Sequence, residues 1–278
     1  MKKENANQRI KGKKEFFNNG TCSRTFFYIL NREFGYTKEL EEKSLDLLAG
    51  GIKQLGYQCG MLWGASMGVG AEAYRRHGNS ALTISATINT TQKLMNSFED
   101  ISGSIDCEDI TNTDFSKEWE FAKYMFTGRF YNCFKLADNW GQQAVDIAKN
   151  SLDIETEAPD YEVFSCATEV LKQMNATEEE TYMVSGLAGG MGLIGTGCGA
   201  LGAAIWKKTL ETLKNTDSKT SFKDPATDKI IQNFYKETDY KVECSEICGR
   251  KFKSLKEHSD YIKNGGCEKL ISILATKT

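Results

Sequence analysis

Nine cysteines are the residues of this sequence best able to do chemistry. A thiolate attacks disulfides and binds soft metals, whereas a buried neutral thiol only fills space. Position relative to helix starts separates the two cases. Thr21, Asp106, Asn132, Ser165, Gly197 and Gly266 immediately precede Cys22, Cys107, Cys133, Cys166, Cys198 and Cys267. All six are residue types favoured at a helix N-cap. Of the eight cysteines other than Cys248, only Cys59 and Cys244 depart from this, preceded by Gln58 and Glu243. A cysteine in the first helical turn faces unpaired N–H groups and the positive end of the helix dipole, which lowers its pKa. The expectation is a set of cysteines held as thiolates at helix starts.

These cysteines fall into two matched sets. Leu48 to Ala65 reads LAGGIKQLGYQCGMLWGA, and Leu187 to Ala204 reads LAGGMGLIGTGCGALGAA. Without a gap, Leu48, Ala49, Gly50, Gly51, Gly56, Cys59, Gly60, Leu62 and Ala65 all recur. An internal repeat of this kind decides the architecture before any single element does. Cys22, Cys59, Cys107 and Cys133 then correspond in order to Cys166, Cys198, Cys244 and Cys267. Cys248 is left without a counterpart. It forms a Cys-x3-Cys pair with Cys244, which would share a helix face with it.

Spacing limits what four thiols could hold. The intervals are 37, 48 and 26 residues in the first set and 32, 46 and 23 in the second. Zinc ribbons use short paired intervals, and only His77 and His258 are available for a mixed site. Any centre must therefore be assembled by folding, with one ligand from each of four helix starts. Four thiolates suit a 2Fe–2S or 4Fe–4S iron–sulfur cluster, or equally two reversible disulfides. In the metal-free case Cys59 and Cys198 are the leading nucleophiles, because a glycine follows each and leaves access. A third reading is metal binding without catalysis.

The elements that must position these thiols are helices. SRTFFYILNREFG, LEEKSLDLLAG, TINTTQKLMNSF, ATEVLKQM, EETYMVSGLAG, DKIIQNFYKET and EKLISILA carry apolar residues at helical spacing. Nothing alternates with period two, and only Pro159 and Pro225 occur. The expected fold is all-α: two tandem homologous modules, residues 20–152 and 160–278, packed as a pseudo-twofold pair. Residues 1–19 read as a flexible basic tail, and SLDIETEAPDYE as the join. Gly50-Gly51 and Gly189-Gly190 read as helix ends or close-packing points.

Each half resembles the redox-active proteins named for their C…GCAxxG…C…C pattern. The residues that carry the resemblance are Gly197 to Gly202, GCGALG, and Cys59 to Gly64, CGMLWG, with FEDISGSIDCEDIT around Cys107 and CFKL and CEKL at Cys133 and Cys267. The resemblance covers roughly residues 20–150 and 160–275. It implies a redox function, as an electron-transfer protein or oxidoreductase, and favours an iron–sulfur cluster, because the family is similar in part to a multihaem cytochrome type that also carries an iron–sulfur site. No C-x-x-C-H occurs, so covalent haem is not expected. Gln58, Met61 and the glycine after Cys198 depart from the motif.

Other readings carry less. A net charge of −3 gives no field for a phosphate backbone, so nucleic acid is not expected. The first residues lack an apolar core, which argues against a secretory signal and for the cytoplasm. Met183 to Trp206 is uncharged over 24 residues, but its eight glycines suit a close-packed helix–loop–helix better than a membrane span. Gly190 to Gly195 matches G-x-G-x-x-G, yet Lys53 replaces the second glycine in the repeat, against a dinucleotide site. Trp63, Trp140 and Trp206 read as core, and His77 as a helix-end residue. The expected partners are a redox protein and, with no membrane involved, another copy of the chain.

Overall fold

Scarce proline and helical apolar spacing give fifteen α-helices among the residues described in this computed structural model, namely 9–153, 157–215 and 220–276. The first half holds α1 (Gly12–Asn19), α2 (Cys22–Glu33), α3 (Glu39–Ser44), α4 (Gly60–His77), α5 (Ala81–Ser102), α6 (Cys107–Thr111), α7 (Glu118–Phe126) and α8 (Phe130–Asp153). The second holds α9 (Cys166–Gln173), α10 (Glu178–Met183), α11 (Gly199–Asn215), α12 (Pro225–Thr238), α13 (Cys244–Ile247), α14 (Leu255–Lys263) and α15 (Glu268–Ala275). Helices α2 to α8 match α9 to α15 one for one. The chain is all-α and built of two tandem modules.

The modules exchange contacts as a twofold pair would. Helix α4 packs on α10 and the short 3-10 turn Ser185–Leu187 of the other module. Its counterpart α11 packs on α3 and the turn Leu45–Leu48. One apolar cluster runs through both halves, with Trp63, Trp140 and Trp206 fully buried. Trp206 donates its indole N–H to the carbonyl of Glu41, 3.3 Å across the module boundary. Lys53 is buried there too, and its ammonium donates to Thr227 Oγ1 at 2.9 Å and the Asp224 carbonyl at 3.1 Å while pairing with Asp228. Burial of a lysine is tolerated because every direction it points in holds an acceptor.

The basic tail expected over residues 1–19 is shorter than that. Residues 12–19 form α1, which lies on α8 and α2. Phe16 supplies the driving force: it is buried with its ring 4.5 Å from that of Phe134. Residues 1–8 and 154–156 lie outside the described residues, so the flexible tail and part of the expected join are untouched by this finding.

Of the two expectations for the LAGG segments, helix ends or close-packing points, the structure bears out the second. Gly50, Gly51, Ile52, Lys53 and Gln54 all have positive φ, as do Gly189, Gly190, Met191, Gly192 and Leu193. Each run is a left-handed turn closed by backbone hydrogen bonds such as Lys53 N–H to Leu47 O, 2.7 Å, and Gly192 N–H to Gly186 O, 2.8 Å. The G-x-G-x-x-G match lies in this turn with no strand before it. Met183 to Trp206 is the end of α10, the turn and the start of α11, and no helix of the described residues is long and apolar enough to cross a membrane.

A left-handed turn tolerates glycine best, and at Gly190 space is short as well. A Cβ there would lie 2.5 Å from the backbone N and O of Thr196. Gly190→Ala is expected to lower the stability of the chain by about 2 kcal/mol or more, measured by urea unfolding.

Candidate functional site

Helix starts place the sulfurs. Cys22, Cys107, Cys166 and Cys244 are the first residues of α2, α6, α9 and α13. Cys59 and Cys198 stand immediately before α4 and α11, and Cys267 is the N-cap of α15 with φ 61°. Cys133 is in the first turn of α8. Two short antiparallel bridges then tie the second cysteine of each module to the third: Gln58 against Asp106, and Gly197 against Glu243. Within them Cys59 N–H donates to Ile105 O at 2.7 Å and Cys107 N–H to Tyr57 O at 2.8 Å. In the second module Cys198 N–H donates to Val242 O at 3.0 Å and Cys244 N–H to Thr196 O at 2.7 Å. The left-handed turn brings in the first cysteine, since the N–H of Gly50 is directed at Cys22 and that of Gly189 at Cys166.

In the first module Cys22, Cys59, Cys107 and Cys133 come close enough to influence one another. The neighbouring Cys59 makes Cys22 the thiolate-favouring member of the pair, helped by the N–H groups of Gly50 and Ser23. Cys59 is pushed well above the ordinary thiol range by its neighbour Cys22 and by burial, and Cys107 by burial and then the charge of Cys22. Cys133 is pushed up to about 11, chiefly by burial, with the Tyr124 hydroxyl 3.4 Å from its sulfur acting the other way.

In the second module Cys166, Cys198, Cys244 and Cys267 line a single pocket, and Cys248 lines it with them. The Cys248 sulfur stands 3.9 Å from that of Cys244 and 3.7 Å from that of Cys267. Thiol hydrogen bonds from both, Cys244 first, pull Cys248 down to about 3, with the Tyr261 hydroxyl adding to the effect. Cys244 and Cys267, as the donors, are pushed far up. Burial pushes Cys166 up to about 11 and Cys198 up to about 12. His258 is buried in the same pocket, with Nδ1 unpartnered, and burial lowers it to about 4, so its imidazole is neutral.

Helix starts therefore do not make every cysteine a thiolate, because burial outweighs the helix end at most positions. The structure singles out Cys22 and Cys248. The glycines after Cys59 and Cys198 do not open these thiols to solvent, for both cysteines are buried. They let the backbone pack closely: a Cβ on Gly60 would lie 2.5 Å from the Cys22 sulfur. Spacing alone missed Tyr124, Tyr261 and His258, and it paired Cys248 with Cys244 but not with Cys267. The tyrosines stand nine and six residues before Cys133 and Cys267, so no fixed interval marks them. CSEIC was the one available signal, a turn of helix that puts Cys248 beside Cys244.

Between the two sites, Gln58 joins the modules. Its Nε2 donates to Asp106 Oδ1 at 3.0 Å and to Glu243 Oε1 at 2.9 Å, the residues just before Cys107 and Cys244. Burial pushes Glu243 up to about 6 and raises Asp106 as well.

The sequence of each module matches the family described as "Putative redox-active protein (C_GCAxxG_C_C)", over residues 20–147 and again over 164–278. The chain belongs to that family. It carries two copies of the family's unit in tandem, and the paired helices are their structural expression. No curated protein and no solved structure matches the chain.

Two expectations test this geometry. Brief labelling of the reduced, metal-free chain with iodoacetamide at pH 5 is expected to modify Cys248 ahead of Cys166 and Cys198, read by peptide mass spectrometry, because only an ionised thiol reacts at that pH. Glu243 ionises at a higher pH when folded, about 6, than its ordinary 4.5, so the stability that it contributes is complete below 4.5 and is lost as pH rises through 6. Glu243→Gln is thus expected to be more stable than wild type at pH 7, by up to about 1 kcal/mol after solvent screening, and the gap should close below pH 4.5 in urea titrations.

Proposed function

We propose that each module holds an iron–sulfur cluster on its four cysteines, and that the chain is an electron-transfer protein with two similar centres. The observation that carries this reading is the second-module pocket, to which Cys166, Cys198, Cys244 and Cys267 arrive from four separate helix starts, with no carboxylate in its lining. The donor set fits such a cluster in kind. Thiolate is its usual ligand, and N–H groups facing sulfur tune its potential. Cys166 receives the N–H groups of Gly189 and Ala167, and Cys198 those of Leu201 and Ala200. Among the described residues no three His, Cys, Asp or Glu side chains are grouped to hold one metal ion. A cluster spreads four thiolates over two or four irons, so its ligands need not meet at a single point.

When bound, the cluster supplies one-electron transfer. The chain's own residues do the rest. Cys22, Cys59, Cys107 and Cys133 in one module, and Cys166, Cys198, Cys244 and Cys267 in the other, supply the sulfurs. Tyr124 and Tyr261 set hydroxyls against Cys133 and against Cys248 and Cys267. Electrons would pass to and from a separate redox protein. A reducing cytoplasm would keep the nine thiols ready for loading.

Anaerobic incubation with iron and sulfide tests the reading. Brown protein with broad absorption near about 400 nm is expected, and Cys22→Ser and Cys166→Ser should each remove about half of the bound iron. Colourless protein with stoichiometric zinc, or with titratable disulfides and no iron, would overturn it.

A further inference from the structure

Cys248 lies outside the four-cysteine pattern and yet sits at the centre of the second site. Its sulfur is 3.9 Å from Cys244 and 3.7 Å from Cys267. Cys248 and Cys267 are only partly buried, whereas Cys166, Cys198 and Cys244 are buried. The first module offers no equivalent. Thr111 stands four residues after Cys107, as Cys248 stands four after Cys244, and its hydroxyl is spent on the Cys107 carbonyl at 2.7 Å. The two sites therefore differ in one thiol.

We propose that Cys248 and Cys267 form a reversible disulfide that closes the second site and has no counterpart in the first. Backbone constraint chooses this pair over Cys244–Cys248. Cys244 and Cys248 are fixed on one helical turn, with Cys248 N–H donating to Cys244 O at 2.9 Å. Cys267 instead follows Gly265 and Gly266, where Gly265 has φ 87° and Cys267 itself φ 61°. Cys267 lies outside that helical turn and its sulfur is the nearer of the two to Cys248, so this pair needs the smaller shift to reach the roughly 2.05 Å of a disulfide.

The oxidant is a low-molecular-weight disulfide, RSSR. The Cys248 thiolate attacks one of its sulfurs, the S–S bond of RSSR breaks, and one RS⁻ leaves and takes a proton. Cys267, on losing its proton, attacks the Cys248 sulfur of the mixed disulfide and expels the second RS⁻, which is protonated in turn. Two cysteine thiols and RSSR become one protein disulfide and two RSH. Formation of the bond is independent of the cluster reading. Its consequence rests on that reading: Cys267 is withdrawn as a ligand, so oxidation would block loading of the second site and leave the first free.

The test uses the full chain, reduced and free of metal, incubated with glutathione disulfide. The expected result is a fall from nine titratable thiols to seven in denaturant, with fragment ions linking Cys248 to Cys267. Cys248→Ser and Cys267→Ser should each retain all eight of their remaining thiols apart from a mixed disulfide in the latter, while Cys22→Ser still loses two. A Cys244–Cys248 link, an unresolved mixed disulfide on Cys248 in wild type, or no loss of thiols would overturn the proposal. Far-UV circular dichroism checks that each variant is folded. Iron and sulfide added afterwards should load the oxidised chain to about half the level of the reduced chain. Absence of iron from both forms, with the disulfide present, would count against the cluster reading alone.

Discussion

Residues 50–54 and 189–193 each hold five successive positive φ angles, and three of the first five and two of the second are not glycine. Such residues cost about 1–2 kcal/mol each in a left-handed conformation. The turn survives because it satisfies its own backbone and buries what it displays. Ile52 and Met191 are in the core, and Lys53 reaches acceptors in the other module. In return the turn directs one N–H at the first cysteine of each module and delivers the chain into the bridge that precedes the second. The first and second cysteines of each module approach one another because the backbone is held in this unusual shape.

The same turns tie the site to the assembly of the two modules. Helices α4 and α11 begin just after Cys59 and Cys198 and then cross onto the opposite module. Gln58, one residue before Cys59, holds carboxylates that precede the third cysteine of both modules. A shift in the packing of one module would therefore be felt at both sulfur sites. Duplication within one chain fixes the pairing that two separate subunits would have to find in solution.

Symmetry ends at the chemistry. The first site couples Cys22 to Cys59 and has no spare thiol, whereas the second is centred on Cys248 and carries the buried, neutral His258. Burial raises most of the thiols, and a thiolate is favoured only where neighbouring S–H groups donate to it. Electrostatics at these sites is governed by sulfur–sulfur contacts more than by helix ends.

Reading residues in order was enough to establish the helical class, the duplication and the matched order of eight cysteines, because helical spacing and self-similarity are local properties of the chain. The same reading placed six of these cysteines at helix starts, which depends only on the residues beside them. Tertiary structure alone decided which thiols touch, which are buried, and that Cys248 joins Cys244 and Cys267. It also turned LAGG from a helix end into a left-handed turn, and it drew residues 12–19 into a helix through the contact of Phe16 with Phe134. Sulfur–sulfur distance and burial arise from segments far apart along the chain, and no local pattern of residue types encodes them.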